Sequence, residues 1–185
     1  MDTNATTTLT NAQNAGFMTD IYMVICRIED AASQVDAVVA QIPSNLYATI
    51  WIKVEENITS ACSWAGHGYS HADNCLFIQA AISQVQSYGA VAGIFSSVHI
   101  WSNFFGSACN TLGSITPAVN LWFADYNTTS NVDQVLTFGD YSPFGGWSEA
   151  SLKQIGGNVT INLCDIVGWT AFVDFDWLPW SSSHL

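Results

Sequence analysis

Residues 50–55 read Ile-Trp-Ile-Lys-Val-Glu, and the interpretation of the whole chain depends on this stretch. Its aliphatic residues alternate with Trp51, Lys53 and Glu55, and successive side chains of a β-strand point to opposite faces. Residues 47–54 are mostly β-branched or aromatic, which favours a strand. We therefore expect a strand with one apolar face, and an opposite face that carries an indole ring, an ammonium group and a carboxylate.

Strand-like and helix-like segments alternate on both sides of this stretch. Short apolar runs predict further strands at 21–26, 90–95, 120–126, 152–155, 159–163 and 173–175. Apolar residues at helical spacing predict helices at 31–42, 72–88 and 100–105. This alternation is typical of an α/β fold with a parallel sheet, and its spacing suits a barrel with helices outside. About seven strands are too few for a closed eight-stranded barrel, so we expect one incomplete α/β barrel domain over residues 1–185.

The composition excludes several classes of partner. The chain has 15 acidic and three basic residues, and its net charge is −12. Nucleic acid is an unsuitable partner because phosphate contacts require Lys and Arg, and an anionic membrane surface is disfavoured for the same reason. No apolar run reaches the roughly 18 residues of a membrane helix, so we expect no membrane insertion.

Other features indicate the secretory pathway. Four Asn-x-Ser/Thr sequons are candidate glycosylation sites, namely Asn4, Asn57, Asn127 and Asn158. Five cysteines fit an oxidising compartment, and their odd number leaves at least one unpaired within the chain. We expect a secreted, endolysosomal or vacuolar protein, although residues 1–8 lack the basic and apolar regions of a signal peptide.

Six segments, in order along the chain, resemble the family-25 glycoside hydrolases, which are lysozyme-like proteins, of the amoeba and nematode type. They extend from about residue 12 to residue 178 and include AGF at 15–17 with DIY at 20–22, IWIKVE at 50–55, YG at 88–89 with AGIFS at 92–96, LWFADY at 121–126, FGDYSPFGGW at 138–147 with KQ at 153–154, and VD at 173–174. The resemblance implies a modified TIM-like β/α barrel, here without its first strand–helix portion. It also implies activity on bacterial peptidoglycan, with neither a cofactor nor a metal.

The candidate catalytic residues depart from the family's pattern. The family's signature strand carries Asp-x-Glu, which here reads Lys53-x-Glu55, and the family's first strand with its Asp lies upstream of the matched region. Glycosidic cleavage requires a carboxylic acid that protonates the leaving oxygen, and usually a second carboxylate. The resemblance makes Glu55 the candidate general acid and Asp174 the candidate second carboxylate. Further carboxylates to consider are Asp20, Asp125 and Asp176.

Lys53 opposes a proton-donor role for Glu55. A neighbouring ammonium group stabilises an ionised carboxylate, whereas a general acid must hold its proton. Two interpretations of Glu55 therefore stay open, a general acid or a structural carboxylate paired with Lys53. Asp174 is likewise either catalytic or a residue that caps a loop.

Aromatic residues supply the candidate sugar-binding surface, because aromatic faces stack on pyranose rings. Four of them, at strand ends or in the closing loop, are candidates to line a cleft, namely Trp51, Trp122, Tyr126 and Trp147. The alternative is ordinary core packing, which we expect for Trp169 and Trp177.

One group of residues has the composition of a metal site. Cys62, His67, His71 and Cys75 supply ligand types that zinc accepts. Their spacing matches no common zinc finger, and a Cys62–Cys75 disulfide that closes the intervening loop is the simpler interpretation.

Two functional hypotheses follow. The first is a lysozyme-like hydrolase directed at bacterial peptidoglycan, with its catalysis impaired or lost. The second is a non-catalytic descendant that binds glycan or serves in assembly. A barrel without its first strand exposes strand edges, which invite pairing with a protein partner or with a second copy.

Overall fold

The structure is a computed structural model that describes residues 2–56, 62–125, 137–162 and 170–178. Its helices are α1 (Ala5–Asn14), α2 (Ala31–Val39), α3 (His71–Ser87) and α4 (Val98–Phe104). Its strands are β1 (Ile21–Val24), β2 (Thr49–Lys53), β3 (Val91–Ser96), β4 (Val119–Ala124), β5 (Leu152–Asn162) and β6 (Thr170–Trp177). Short 3-10 turns lie at Ser44–Leu46, Gly106–Cys109 and Leu112–Ser114.

The strands form one sheet in sequence order, β1 to β6. Neighbouring strands from β1 to β5 are parallel, and β6 runs antiparallel to β5. The predicted α/β class is therefore correct. Two details differ from the expectation, because the predicted strands at 152–155 and 159–163 are one strand, and helix α1 was not predicted. Leu9 is the one large apolar residue of α1, so hydrophobic spacing carries no signal there.

The outer face of the sheet packs against the helices. Ile50, Ile52 and Val54 are fully buried, as the alternation in this stretch requires. They belong to the same core as Ile78 and Ile82 of α3. Burial of these aliphatic side chains is the main favourable term that holds the helices on the sheet.

The inner face of the sheet is the face opposite the helices. Strand register aligns side chains of this face in two rows, one made of Tyr22, Trp51, Gly93 and Asn120, the other of Val24, Lys53, Phe95, Trp122 and Leu152. Asp20 and Tyr22 at one edge of the sheet line the same cavity as Asp176 on β6, the other edge strand. The sheet therefore curls around its inner face, as in a barrel.

Two disulfides link chain segments that follow neighbouring strands. Cys26 pairs with Cys62 and Cys75 pairs with Cys109, so the predicted Cys62–Cys75 disulfide is wrong. The prediction closed the nearest loop in sequence, whereas the parallel sheet brings the residues that follow neighbouring strands together. Cys164 lies outside the described residues.

The Cys–His group does not assemble into a zinc site. Both of its sulfur atoms are in disulfides, and His71 Nε2 lies 3.1 Å from the Asn103 carbonyl oxygen. In the described part of the chain, no helix has the length and apolar character needed to cross a membrane.

Candidate functional site

The carboxyl end of β2 carries an ion pair. Lys53 Nζ lies 2.9 Å from Glu55 Oε1, with the two side chains 16% and 35% exposed. Lys53 Nζ also lies 4.7 Å from the ring centroid of Phe95 and 5.4 Å from that of Tyr22. The pairing that the sequence left open is thus present, and the cation sits between the carboxylate and two aromatic rings.

Two tryptophans form the centre of the inner face. The Trp51 and Trp122 rings meet edge to face at 5.6 Å between centroids, and Trp122 meets Phe95 at 5.0 Å. Each indole N–H donates to a carboxylate, Trp51 Nε1 to Asp20 Oδ2 at 3.1 Å and Trp122 Nε1 to Asp176 Oδ1 at 2.9 Å. These hydrogen bonds orient both rings. Trp51 is 4% exposed, whereas Trp122 is partly exposed.

A cavity of about 250 Å³ opens beside these rings, and we call it the inner-face cavity. It is lined by Asp20, Ile21, Tyr22, Trp51, Trp122, Leu152 and Asp176. Its volume is below the roughly 300–1,000 Å³ typical of sites for drug-sized ligands, so it suits only a smaller group. Glu55 is not among the lining residues. The structure therefore brings the predicted aromatic residues Trp51 and Trp122 together with Asp20 and Asp176. The predicted general acid lies elsewhere.

Asp20 joins the starts of β1 and β2. Its Oδ1 accepts the Thr49 N–H at 2.8 Å, while its Oδ2 accepts the Trp51 indole. Both oxygens therefore have a protein donor, which supports a positioning role for this carboxylate.

Asp125 belongs to a separate charge cluster on the outer face. Its Oδ2 lies 3.9 Å from Lys153 Nζ, and the same ammonium pairs with Asp140 and donates to the Thr137 carbonyl oxygen at 3.4 Å. The Lys153 side chain is fully buried. Burial alone raises the pKa of Asp140, but hydrogen bonds with Lys153 and Asp125 and the Lys153 charge hold it below its ordinary value. The ion pair between Lys153 and Asp140 was not predicted, because nothing in the spacing of these two residues indicates that they meet.

Trp147 lies in the core, so its predicted place in a sugar cleft is wrong. It is 4% exposed, and its Nε1 donates to the Val119 carbonyl oxygen at 2.7 Å. Its ring meets Trp101 edge to face at 5.2 Å. The glycine at position 145 was the sequence feature that could have indicated this close packing. A Cβ at Gly145 would lie 2.3 Å from the Trp147 ring, so only glycine fits there.

Arg27 was missed as a structural residue at the carboxyl end of β1. It is 7% exposed, and its Nε donates to Asn74 Oδ1 at 2.6 Å. Its guanidinium carbon lies 3.6 Å from the Tyr69 ring centroid and 4.5 Å from that of Phe77. Arg27 thus links the segment after β1 to helix α3 and to the loop before it.

Several predicted sites lie outside what the structure describes. Tyr126, Asn57, Asn127 and Trp169 fall in undescribed segments. Asp174 and Trp177 belong to β6 and Asn158 to β5, but their side chains are not among those described. Asn4 is exposed at the N-cap of α1, and its glycosylation stays a prediction.

Known proteins resemble this chain over most of its length. The family model for Lysozyme-like protein 1 matches residues 1–155. Probable GH family 25 lysozyme 3 of Dictyostelium discoideum is 31% identical over 93% of the chain, which spans 32% of that protein. Lysozyme-like protein 5 of Caenorhabditis elegans is 28% identical over 97% of the chain and 75% of its own length. The solved muramidase from Acremonium alcalophilum superposes with a TM-score of 0.69 at 15% identity, covering 98% of this chain and 77% of that one, which shows a shared fold.

Proposed function

Because this chain belongs to the lysozyme-like proteins of glycoside hydrolase family 25, we propose that it binds bacterial peptidoglycan or a similar glycan and that its hydrolytic activity is impaired or lost. The observation that carries this proposal is the 2.9 Å ion pair between Lys53 and Glu55. The ammonium group stands where the resemblance implies an aspartate.

The ion pair opposes the first chemical step. A general acid must hold its proton until the leaving oxygen takes it, which usually requires an apolar surrounding or a second negative charge nearby. Beside Glu55 the structure places a positive charge instead, the ammonium group of Lys53. The contact also occupies Glu55 Oε1, which is therefore not free to approach a leaving oxygen while the ion pair is formed.

Glycan binding is supported by the inner face of the sheet. Tyr22 is 59% exposed and Trp122 is partly exposed, so both present ring surface to a ligand. Hydrogen bonds from the indoles to Asp20 and Asp176 hold the two tryptophans in place without a ligand. A preorganised aromatic surface loses little conformational entropy on binding.

The two disulfides support an oxidising compartment, extracellular or lysosomal.

The test of catalysis is turnover of purified peptidoglycan between pH 4 and 7, with Lys53→Asp and Lys53→Gln as the matched pair. We expect the wild type to release few reducing ends. Lys53→Asp restores the family's acidic pattern and is expected to increase turnover, whereas Lys53→Gln removes the cation without adding a carboxylate and should increase it less. A wild type with robust turnover that Glu55→Gln abolishes would overturn the proposed impairment.

The test of binding is titration of soluble peptidoglycan fragments, with Trp122→Ala against Phe17→Ala. Phe17 is 68% exposed and lies outside the inner-face cavity, so its loss should leave affinity unchanged. Trp122→Ala is expected to weaken binding about tenfold, equivalent to 1.4 kcal/mol. Folded protein without saturable binding would favour the assembly role instead.

A further inference from the structure

The inner face of the sheet carries one basic side chain. The sequence has three Lys and Arg residues, and two of them are buried elsewhere. Arg27 is bonded to Asn74 of helix α3, and the Lys153 side chain is fully buried on the outer face. Lys53 is therefore the Lys or Arg residue that the inner face can offer to a ligand, and its side chain is 16% exposed.

Aromatic rings hold the Lys53 ammonium group beside the surface that we propose for glycan binding. Its Nζ lies 5.4 Å from the ring centroid of Tyr22 and 4.7 Å from that of Phe95. The Phe95 ring meets Trp122 edge to face at 5.0 Å, and both Tyr22 and Trp122 line the inner-face cavity. Rings attract a nearby cation through their quadrupoles, which favours this position of the ammonium group. The positive charge thus adjoins the aromatic surface.

Glu55 uses only part of this ammonium group. A lysine ammonium has three N–H donors, and among the described residues its one ion-pair partner is Glu55, through Oε1 at 2.9 Å. The Glu55 side chain is 35% exposed, and an ion pair that is open to solvent is held weakly. A carboxylate of a ligand can therefore share the ammonium group with Glu55 or replace it.

Charge determines which ligands depend on Lys53. The net charge of −12 repels an anionic glycan from most of the surface. In the inner-face cavity, Asp20 and Asp176 add two further carboxylates, each of which accepts an indole N–H. A neutral sugar does not require a cation here. A sugar acid gains a charge-assisted hydrogen bond at Lys53, which offsets the repulsion.

We propose that Lys53 determines the specificity of the inner face, by selecting sugars that carry a free carboxylate over neutral sugars. The sugar ring stacks on Trp122, and its carboxylate accepts hydrogen bonds from Lys53 Nζ. Both groups adjoin the Phe95 ring, so one sugar unit can contact both. Two sources have this chemistry, the lactyl ether of a muramic acid without its stem peptide, and a uronic acid. This inference rests on the proposed glycan binding.

The test is calorimetric titration of the full chain near neutral pH with oligosaccharides of matched length. One alternates N-acetylglucosamine with peptide-free N-acetylmuramic acid, and its control is the same oligomer with the lactyl carboxyl groups amidated. The others are oligomers of N-acetylglucosamine, which are neutral, and of glucuronic acid. Lys53→Gln removes the positive charge, Lys53→Arg keeps it, and Glu55→Gln removes the competing carboxylate. Circular dichroism checks that each variant is folded.

We expect the wild type to bind the muramic acid oligomer about tenfold more tightly than its amidated counterpart. Lys53→Gln should abolish this preference without changing the affinity for neutral oligomers, and Lys53→Arg should retain it. Glu55→Gln should strengthen the binding of the carboxylate-bearing oligomers, because the ligand then has no competitor for the ammonium group. The preference should also shrink as salt is raised, because it is electrostatic.

Two kinds of failure are distinguishable. Equal affinity of the wild type for the free and amidated oligomers, or an equal loss for both in Lys53→Gln, would overturn the inference and leave the proposed glycan binding standing. Weaker binding of the carboxylate-bearing oligomers in Glu55→Gln would overturn it too, since the ion pair would then act as a structural unit. No saturable binding of any oligomer to the folded wild type would overturn both proposals. If the inference holds, the tighter of the two acidic oligomers identifies the source of the carboxylate.

Discussion

Gly93 sets how closely the aromatic rings of the inner face approach the sheet. A Cβ at this position would lie 2.2 Å from Trp51 Cε3, so the indole occupies the space that any other residue would need. The ring cannot easily move, because it is hydrogen-bonded to Asp20 and packed edge to face on Trp122.

We therefore predict that Gly93→Ala lowers the free energy of unfolding by about 1–3 kcal/mol, the usual cost of overpacking. Urea unfolding measures this loss. The control is the same substitution in a Trp51→Leu background, where the smaller side chain leaves room for the methyl group. An equal loss in both backgrounds would show that the indole is not the cause.

The ion pair between Lys153 and Asp140 should make the stability of the protein depend on pH. The buried ammonium of Lys153 pairs with Asp140, whose pKa is held below its ordinary value in the folded state. A depressed folded-state pKa stabilises the protein fully above the unfolded-state pKa, about 3.9, and the stabilisation is lost as pH falls through the folded-state value.

Asp140→Asn should therefore destabilise the protein at pH 7, and the difference from wild type should shrink below about pH 4. We expect a loss of about 1–2 kcal/mol at pH 7, reduced by solvent screening because the Asp140 side chain is 43% exposed. Thermal unfolding from pH 3 to 7 measures it. Glu149→Gln, an exposed neutralisation, is the control, and a difference that stays constant across this range would contradict the assignment.

At the scale of elements, the two disulfides stabilise the segments that connect strands to helices. The Cys75–Cys109 bond joins the N-terminal part of α3 to the 3-10 turn Gly106–Cys109, and both of its residues are buried. Cys26 and Cys62 are partly exposed. The sequence separations, 34 and 36 residues, are nearly equal.

Loop entropy thus predicts the same loss, about 3–4 kcal/mol, when either disulfide is removed. We expect the Cys75→Ala, Cys109→Ala double variant to lose more than the Cys26→Ala, Cys62→Ala one, because buried sulfur contacts are also lost. Chemical denaturation compares the two. Peptide mapping without reduction checks the pairing, and a Cys62–Cys75 peptide would contradict it.

Elements were largely predictable from local pattern. Strand β2 and helix α3 were predicted within two residues at each end, since apolar alternation and helical spacing are both strong there. Helix α1 was not predictable, because Leu9 is its one large apolar residue. The continuity of β5 was also missed, since Gly156 and Gly157 interrupt the apolar pattern at a place where the pairing register shifts.

At the scale of the whole molecule, charge opposes folding. The chain has fifteen acidic residues and three basic ones. Each basic side chain already has a partner within the protein, namely Asn74 for Arg27, Glu55 for Lys53 and Asp140 for Lys153. The remaining carboxylates repel one another across the surface, and salt screens that repulsion over about 8–10 Å at moderate ionic strength.

Raising sodium chloride from about 10 to 150 mM should therefore increase the melting temperature, by about 2–4 °C for a gain near 1 kcal/mol in a chain of this size. Potassium chloride at the same ionic strength is the control and should act equally, since screening does not depend on ion identity. A melting temperature that falls with salt would mean that attractive pairs, such as Lys153 with Asp140, outweigh the repulsion.

The sequence by itself determined the α/β class, the two faces of β2 and the placement of Trp51, Lys53 and Glu55 on one of them. These follow from backbone geometry, which sets the side-chain period of a strand wherever that strand lies. Only the tertiary structure decided the disulfide partners, the burial of Trp147 and the carboxylates that hold the indoles. The residues in the contact between Trp122 and Asp176 are 54 positions apart, and such contacts depend on the curl of the sheet, to which no local pattern is sensitive.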